Sequence, residues 1–255
     1  GRQQLIVRLK NNPGNLLAIV IRININESQW QFYYILFINM HMKKYLTALS
    51  LFWTFFSCQQ MDNHQSLEGQ WRFALDPNDK GLTEQWYTNS LNDTIHLPGS
   101  LQEQGYGYDV DLKTAWTGWV VDKSWYNSPV YEKFRQPGNM KVPFWLNPEK
   151  HYVGVAWYQK EIDIPAAWSD RPVELELERT HWETTLFLDG KEVGKHESLS
   201  TPYRYTFKEL TPGKHTLTLR VDNRLNVAVG VNAHSVSDHT QSNWNGVVGT
   251  IALTA

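Results

Sequence analysis

The run Val173-Glu174-Leu175-Glu176-Leu177-Glu178 alternates aliphatic and acidic residues without a break. A period of two places the three aliphatics on one face of a strand and the three glutamates on the other; on a helix the same residues would scatter around the axis. The segment is therefore a strand with one buried and one wet side, the arrangement an antiparallel sheet provides. Three clustered glutamates also suit acid/base chemistry, but a solvated strand face accounts for them fully. Residues 215–221 repeat the pattern, with Leu217, Leu219 and Val221 directed inward. Gly69-Gln70-Trp71-Arg72-Phe73-Ala74-Leu75 alternates with aromatics and stops at the turn residues Asp76-Pro77-Asn78-Asp79. Strands are also expected at 94–97, ahead of Pro98-Gly99, at 157–164, ahead of Pro165, and at 247–253. Asp189-Gly190, following Thr185-Leu186-Phe187-Leu188, carries the residue pair of a tight hairpin. Short strands at close spacing, with no long helical period, make this an all-β chain built as an antiparallel sandwich or jelly roll.

Composition narrows the functional classes. A net charge of −2 leaves no basic stripe to neutralise phosphates, so no nucleic-acid partner is expected. The single cysteine, Cys58, excludes an intrachain disulfide and a thiolate metal cluster; neither a metal nor a cofactor is expected. Twelve Trp, twelve Tyr and ten Phe supply either core area or flat rings for sugar faces, and core is the default use.

Met42-Lys43-Lys44, the apolar stretch 45–56 and Ser57-Cys58 have the parts of a secretory signal. A helix over 45–56 reaches about 18 Å at about 1.5 Å per residue, short of the roughly 30 Å hydrocarbon layer, so it does not read as a permanent membrane span. Residues 1–41 precede this signal and are set apart from the fold as a leader, with Met42 as the expected start. Residues 58–66 suit a polar tether and 67–255 the folded domain. Between about 107 and 152 the pattern breaks into a long insertion carrying Trp116, Trp119, Trp125, Tyr126, Tyr131, Phe134, Phe144 and Trp145 among prolines. Long loops of this kind often serve function, so a ligand-facing role is expected beside the simpler one of capping the sandwich.

The signal resembles that of bacterial lipoproteins, with Phe55-Phe56-Ser57-Cys58 as lipobox, and implies lipidation at Cys58 and a place in the bacterial cell envelope. Gly154-Val155-Ala156-Trp157-Tyr158-Gln159-Lys160, followed by Ile164-Pro165 and Trp168, resembles the N-terminal sugar-binding domain of family 2 glycoside hydrolases. Leu186-Phe187-Leu188-Asp189-Gly190, Thr201-Pro202-Tyr203, Pro212-Gly213-Lys214-His215 and Arg220-Val221-Asp222-Asn223 match further elements of that domain. Asn243-Trp244-Asn245-Gly246 resembles its closing segment, with Gly249 where an arginine is common. The resemblance covers about 67–255 and implies a galactose-binding-like jelly roll with a carbohydrate as partner. It also implies Gln241, Asn243, Trp244 and Asn245 as sugar contacts near the active-site mouth, with His239 and Asp238 beside them.

Hydrolysis in that family needs two glutamates about 5–5.5 Å apart on a (β/α)₈ barrel of about 250 residues, and the roughly 200 residues after position 57 are already committed to strands. No catalytic residue is expected here. Two readings follow: an accessory domain ending before its catalytic barrel, or a stand-alone carbohydrate-binding surface lipoprotein. A protein-interaction module on the same sandwich is a third.

Overall fold

The computed structural model describes residues 5–12, 16–23 and 34–39 and, from 63 onward, all but 112, 115–126, 142–148, 227–228, 231–232 and 234–242. The chain divides into two units, Gly1–Gln60 and Met61–Ala255. In the first, β1 (Leu5–Asn12), β2 (Leu16–Ile23) and β3 (Tyr34–Asn39) pair in order as an antiparallel meander. The β-branched run of β2 favours this extended form. The signal and Cys58 lie outside the described residues.

The second unit is an antiparallel β-sandwich. Its strands are β4 (His64–Ser66), β5 (Gly69–Asp76), β6 (Asp93–Leu97), β7 (Gly99–Ser100), β8 (Tyr108–Asp109), β9 (Arg135–Gln136), β10 (Asn139–Met140), β11 (Lys150–His151), β12 (Val155–Ile164), β13 (Val173–His181), β14 (Glu183–Leu188), β15 (Lys191–His196), β16 (Tyr203–Phe207), β17 (Gly213–Asp222) and β18 (Gly246–Thr254). One sheet runs β15-β14-β17-β12-β5-β6; the other runs β16-β13-β18-β4, with β7 also on β18. The fold starts earlier than the tether boundary at 66 implies, because His64–Ser66 already pairs with the last strand. Among the described residues no α-helix occurs, only short 3₁₀ turns.

The alternation read from the sequence sets the core. Val173, Leu175 and Leu177 are buried, while Glu176 meets Arg204 at 2.8 Å and Glu178 accepts the Thr250 amide. Trp71, Phe73, Tyr158, Leu217 and Leu219 from one sheet meet Leu175, Ile251, Leu253 and Tyr203 from the other in one cluster. Each fully buried aliphatic of this kind contributes about 1.5–3 kcal/mol by leaving water. At the β14–β15 hairpin Asp189 and Gly190 have φ of 49° and 74°, the pair of positive values that a type I′ turn requires. Asp189 also accepts from the Thr216 amide and from His215 Nδ1. His215 Nε2 lies 2.7 Å from the Thr211 carbonyl, a contact that together with Asp189 favours the charged imidazolium. Burial works against that charge, but the bonds to Asp189 and Thr211 outweigh it and hold the imidazole pKa above its ordinary value.

The outer face of the six-stranded sheet is partly covered by residues 77–91, which leave β5 and return to β6. Asp76, buried, holds the start of this excursion through the amides of Lys80 and Gly81 and takes the Trp157 indole NH at 3.0 Å. Gly81 lies so close over Trp157 that a Cβ there would fall 2.4 Å from the indole. Trp86 and Tyr87 complete a second apolar cluster with Trp157, Phe187 and Leu91. The aromatic insertion is described only in part: β8 pairs β11, a 3₁₀ turn spans Pro129–Phe134, and β9 pairs β10. Trp116, Trp119, Trp125, Tyr126, Phe144 and Trp145 lie outside the described residues.

Candidate functional site

Where β17 ends and β18 begins, the strands leave carbonyls and amides without ladder partners, and buried amide side chains take them up. Asn223 accepts from the Gly154 amide at 2.8 Å and donates to the Tyr152 and Trp244 carbonyls. Asn243 Nδ2 donates to the Asn223 carbonyl at 2.8 Å. Asn245 donates to the Gly154 and Val221 carbonyls and accepts the Tyr158 hydroxyl at 2.7 Å. Gln102 closes the set, accepting the Asn245 amide and donating to the Asn243 carbonyl. Buried amides satisfied in this way fix the path of the chain, because releasing any one of them leaves a desolvated polar group.

Of the six expected sugar contacts, the structure places three. Asn243 and Asn245 are buried and turned into the fold, where the bonds just described engage them. The physical reason is the strand junction: an asparagine amide mimics the backbone and completes ladders that end there. Trp244 lies between them on the chain with its ring half-buried, stacked on His181 at 4.8 Å between centroids. His181 stacks in turn on Trp182 at 5.9 Å. His181 Nδ1 bonds the Trp244 carbonyl at 2.7 Å, and the Trp182 indole donates to the Arg224 carbonyl. The result is a braced stack of three rings leading from the buried end of β13 out to Trp244. Asp238, His239 and Gln241 lie outside the described residues.

Sequence reasoning does not single out His181 and Trp182, although a His-Trp pair closing an alternating strand is the available signal. Close by, Asp222 is buried and shared between Arg220 and Arg224, and Asp79 reaches both arginines from the 77–91 excursion, at 2.8 and 2.6 Å. Glu183 lies 3.6 Å from Arg220 and 2.8 Å from Lys195. Burial raises the affinity of Asp222 for a proton, but hydrogen bonds from Arg224 more than offset this and hold its pKa below the ordinary carboxylate value. At Asp79 burial likewise raises the pKa, and the bonds from Arg220 and Arg224 bring it below the ordinary value. Glu178, bonded to Thr250, is also displaced downward. In each case the neighbouring donors favour the charged carboxylate.

Comparison with known proteins agrees with the all-β fold. The family model described as "Glycosyl hydrolases family 2, sugar binding domain" matches residues 64–254. A β-glucuronidase of Paenibacillus borealis is 22% identical over 164 residues, covering 64% of this chain and 21% of the relative. A β-galactosidase of Halalkalibacterium halodurans is 28% identical over 176 residues, covering 64% of this chain and 15% of the relative. Among solved structures, a β-glucuronidase from Ruminococcus gnavus in complex with D-glucaro-d-lactam aligns with a TM-score of 0.50 at 19% identity, over 75% of this chain and 29% of that one. The chain spans about a fifth of the length of the first of these curated relatives.

Proposed function

Because the chain belongs to the family 2 glycoside hydrolases through the sugar-binding domain at residues 64–254, we propose that it recognises a β-linked glucuronide or galactoside whose bond is cut by another domain of the full-length protein. The observation that carries this reading is the ring stack Trp182, His181, Trp244, which presents a half-buried indole shortly after Asp238, His239 and Gln241 in the sequence. A ring fixed from below offers a flat apolar face to a sugar at little entropic cost. Asn243 and Asn245 contribute by holding the backbone on either side of Trp244. In this reading the domain supplies binding and orientation, and the two carboxyls of hydrolysis belong to the barrel.

Incubating the purified chain with chromogenic β-glucuronides and β-galactosides checks this division. Saturable quenching of tryptophan fluorescence without release of the chromophore is expected. Turnover by this chain alone would place the chemistry inside it and refute the division.

We also propose that Cys58 carries a lipid that tethers the domain to the bacterial envelope, on the strength of Lys43, Lys44, the apolar stretch 45–56 and Ser57-Cys58. Cys58→Ala is expected to shift the protein from the membrane fraction to the soluble one; unchanged membrane retention would exclude the anchor.

A further inference from the structure

On the outer face of the six-stranded sheet the 77–91 excursion covers only part of the strands. Beyond its edge lies an open cleft of about 810 Å³, within the usual size range of ligand sites. Its floor follows from strand register. Thr94, Arg72 and Gln159 stand side by side across β6, β5 and β12, pointing away from the core, and Gln159 also donates to buried Thr218 of β17. One step along the same strands, Gln70, Glu161 and Thr216 form a second polar row. Asn89 and Ser90 make one rim and the Asp189–Gly190 turn another. The rim is fastened: Gln159 Nε2 donates to the Asn89 carbonyl at 2.9 Å and its Oε1 accepts the Leu91 amide.

The charges in this cleft are unevenly answered. Glu161 is paired with Lys214 at 2.6 Å and Asp189 with His215 at 2.6 Å. Lys160 donates to the Gln70 carbonyl and lies over the Trp71 ring, where burial lowers its pKa. Arg72 meets no carboxylate among the described residues; one arm, Nη1, donates to the Leu91 carbonyl at 3.2 Å and the rest of its donor fork is unspent. The side chains of Gln70, Ser90 and Thr94 likewise make no hydrogen bond among the described residues, so donors and acceptors converge around an unanswered guanidinium. A guanidinium fork matches two oxygens of a carboxylate or sulfate, and flanking amides and hydroxyls match sugar hydroxyls. We propose that this cleft is a second carbohydrate site, separate from Trp244, that takes a short glycan bearing an oxyanion, either a uronate carboxylate or a sulfate ester, on Arg72.

Calorimetric titration of the full chain with an oligogalacturonate, a sulfated galactan oligomer and a neutral galactan oligomer tests this. At least one acidic oligomer is expected to bind tenfold or more tightly than the neutral one, and which of them does so identifies the oxyanion. Arg72→Gln should weaken that binding at least tenfold, and Arg72→Lys, which keeps charge but loses the fork, by less. Because Arg72 also supports the Leu91 carbonyl, Gln70→Ala serves as a second variant at an exposed position and should weaken binding about threefold with the melting temperature unchanged. Trp244→Ala, which removes the end assigned to β-glucuronides and β-galactosides, should leave the Arg72-dependent part of acidic binding intact; loss of that part in this variant would assign the acidic glycan to the Trp244 end and overturn the cleft. Equal affinity for neutral and acidic oligomers, no effect of Arg72→Gln, or no acidic binding at millimolar concentration would each overturn it as well.

Discussion

Asp222→Ala is expected to destabilise the sandwich by about 3–5 kcal/mol, the usual cost of removing one partner from a buried charge cluster. Asp222 is 1% exposed and accepts from both Arg220 and Arg224. Without it, Arg220, whose side chain is 6% exposed, keeps Asp79 at 2.8 Å and a distant Glu183 but loses its buried partner on the same strand. The same substitution leaves Arg224, whose carbonyl holds the Trp182 indole, with Asp79 alone. Urea unfolding followed by tryptophan fluorescence measures this, with the midpoint expected to fall sharply at an unchanged slope. A loss below about 1 kcal/mol would mean that the cluster is solvated and rearranges freely.

The second large effect is expected at Gly246→Ala. Gly246 has φ of 147°, and a Cβ there would fall 2.4 Å from the Gly99 carbonyl oxygen and 2.9 Å from Ser100 Cα, both backbone atoms of β7. Backbone atoms in a paired strand cannot swing aside as a flexible side chain can, so overlap and an unfavourable φ act together. The expected cost is about 3 kcal/mol, from strain and overpacking of ordinary size. The β7–β18 pairing would open, and with it the bond from the Leu101 amide to the Asn245 carbonyl. Thermal unfolding and amide exchange at Leu101 report it; a melting temperature within a degree of the parent would show that β7 is not held as described.

These two positions show how the sequence carries the fold. Arg220-Val221-Asp222-Asn223 is legible as a motif, and in three dimensions its polar members divide the work. Arg220 pins the 77–91 excursion through Asp79, Asp222 braces Arg220, and Asn223 ties Gly154 to Trp244. Strands with strict alternation, such as 173–178 and 215–221, are legible because burial on one face leaves no other register. The Asp189-Gly190 turn is legible because few residues tolerate two positive φ values in succession. By contrast β4 and β7 are too short to show a period, and they exist only because β18 offers them an edge.

The binding end is less legible. Asn243 and Asn245 look like ligand contacts by residue type, yet their amide NH2 groups are taken up by carbonyls that strand ends leave open, an accounting visible only in three dimensions. His181 and Trp182 acquire meaning from Trp244, some sixty residues away in sequence. The cleft around Arg72 depends on register across four strands and on where the 77–91 excursion stops, neither of which local pattern encodes.

The central claim is that the sandwich meets its sugar at the indole of Trp244, held from beneath by His181 and Trp182. Titrating the chain and its Trp244→Ala variant with the same β-glucuronide and β-galactoside oligosaccharides tests it directly. At least a tenfold loss of affinity, about 1.4 kcal/mol, is expected with the unfolding midpoint nearly unchanged. Equal affinity in the two proteins would contradict the account.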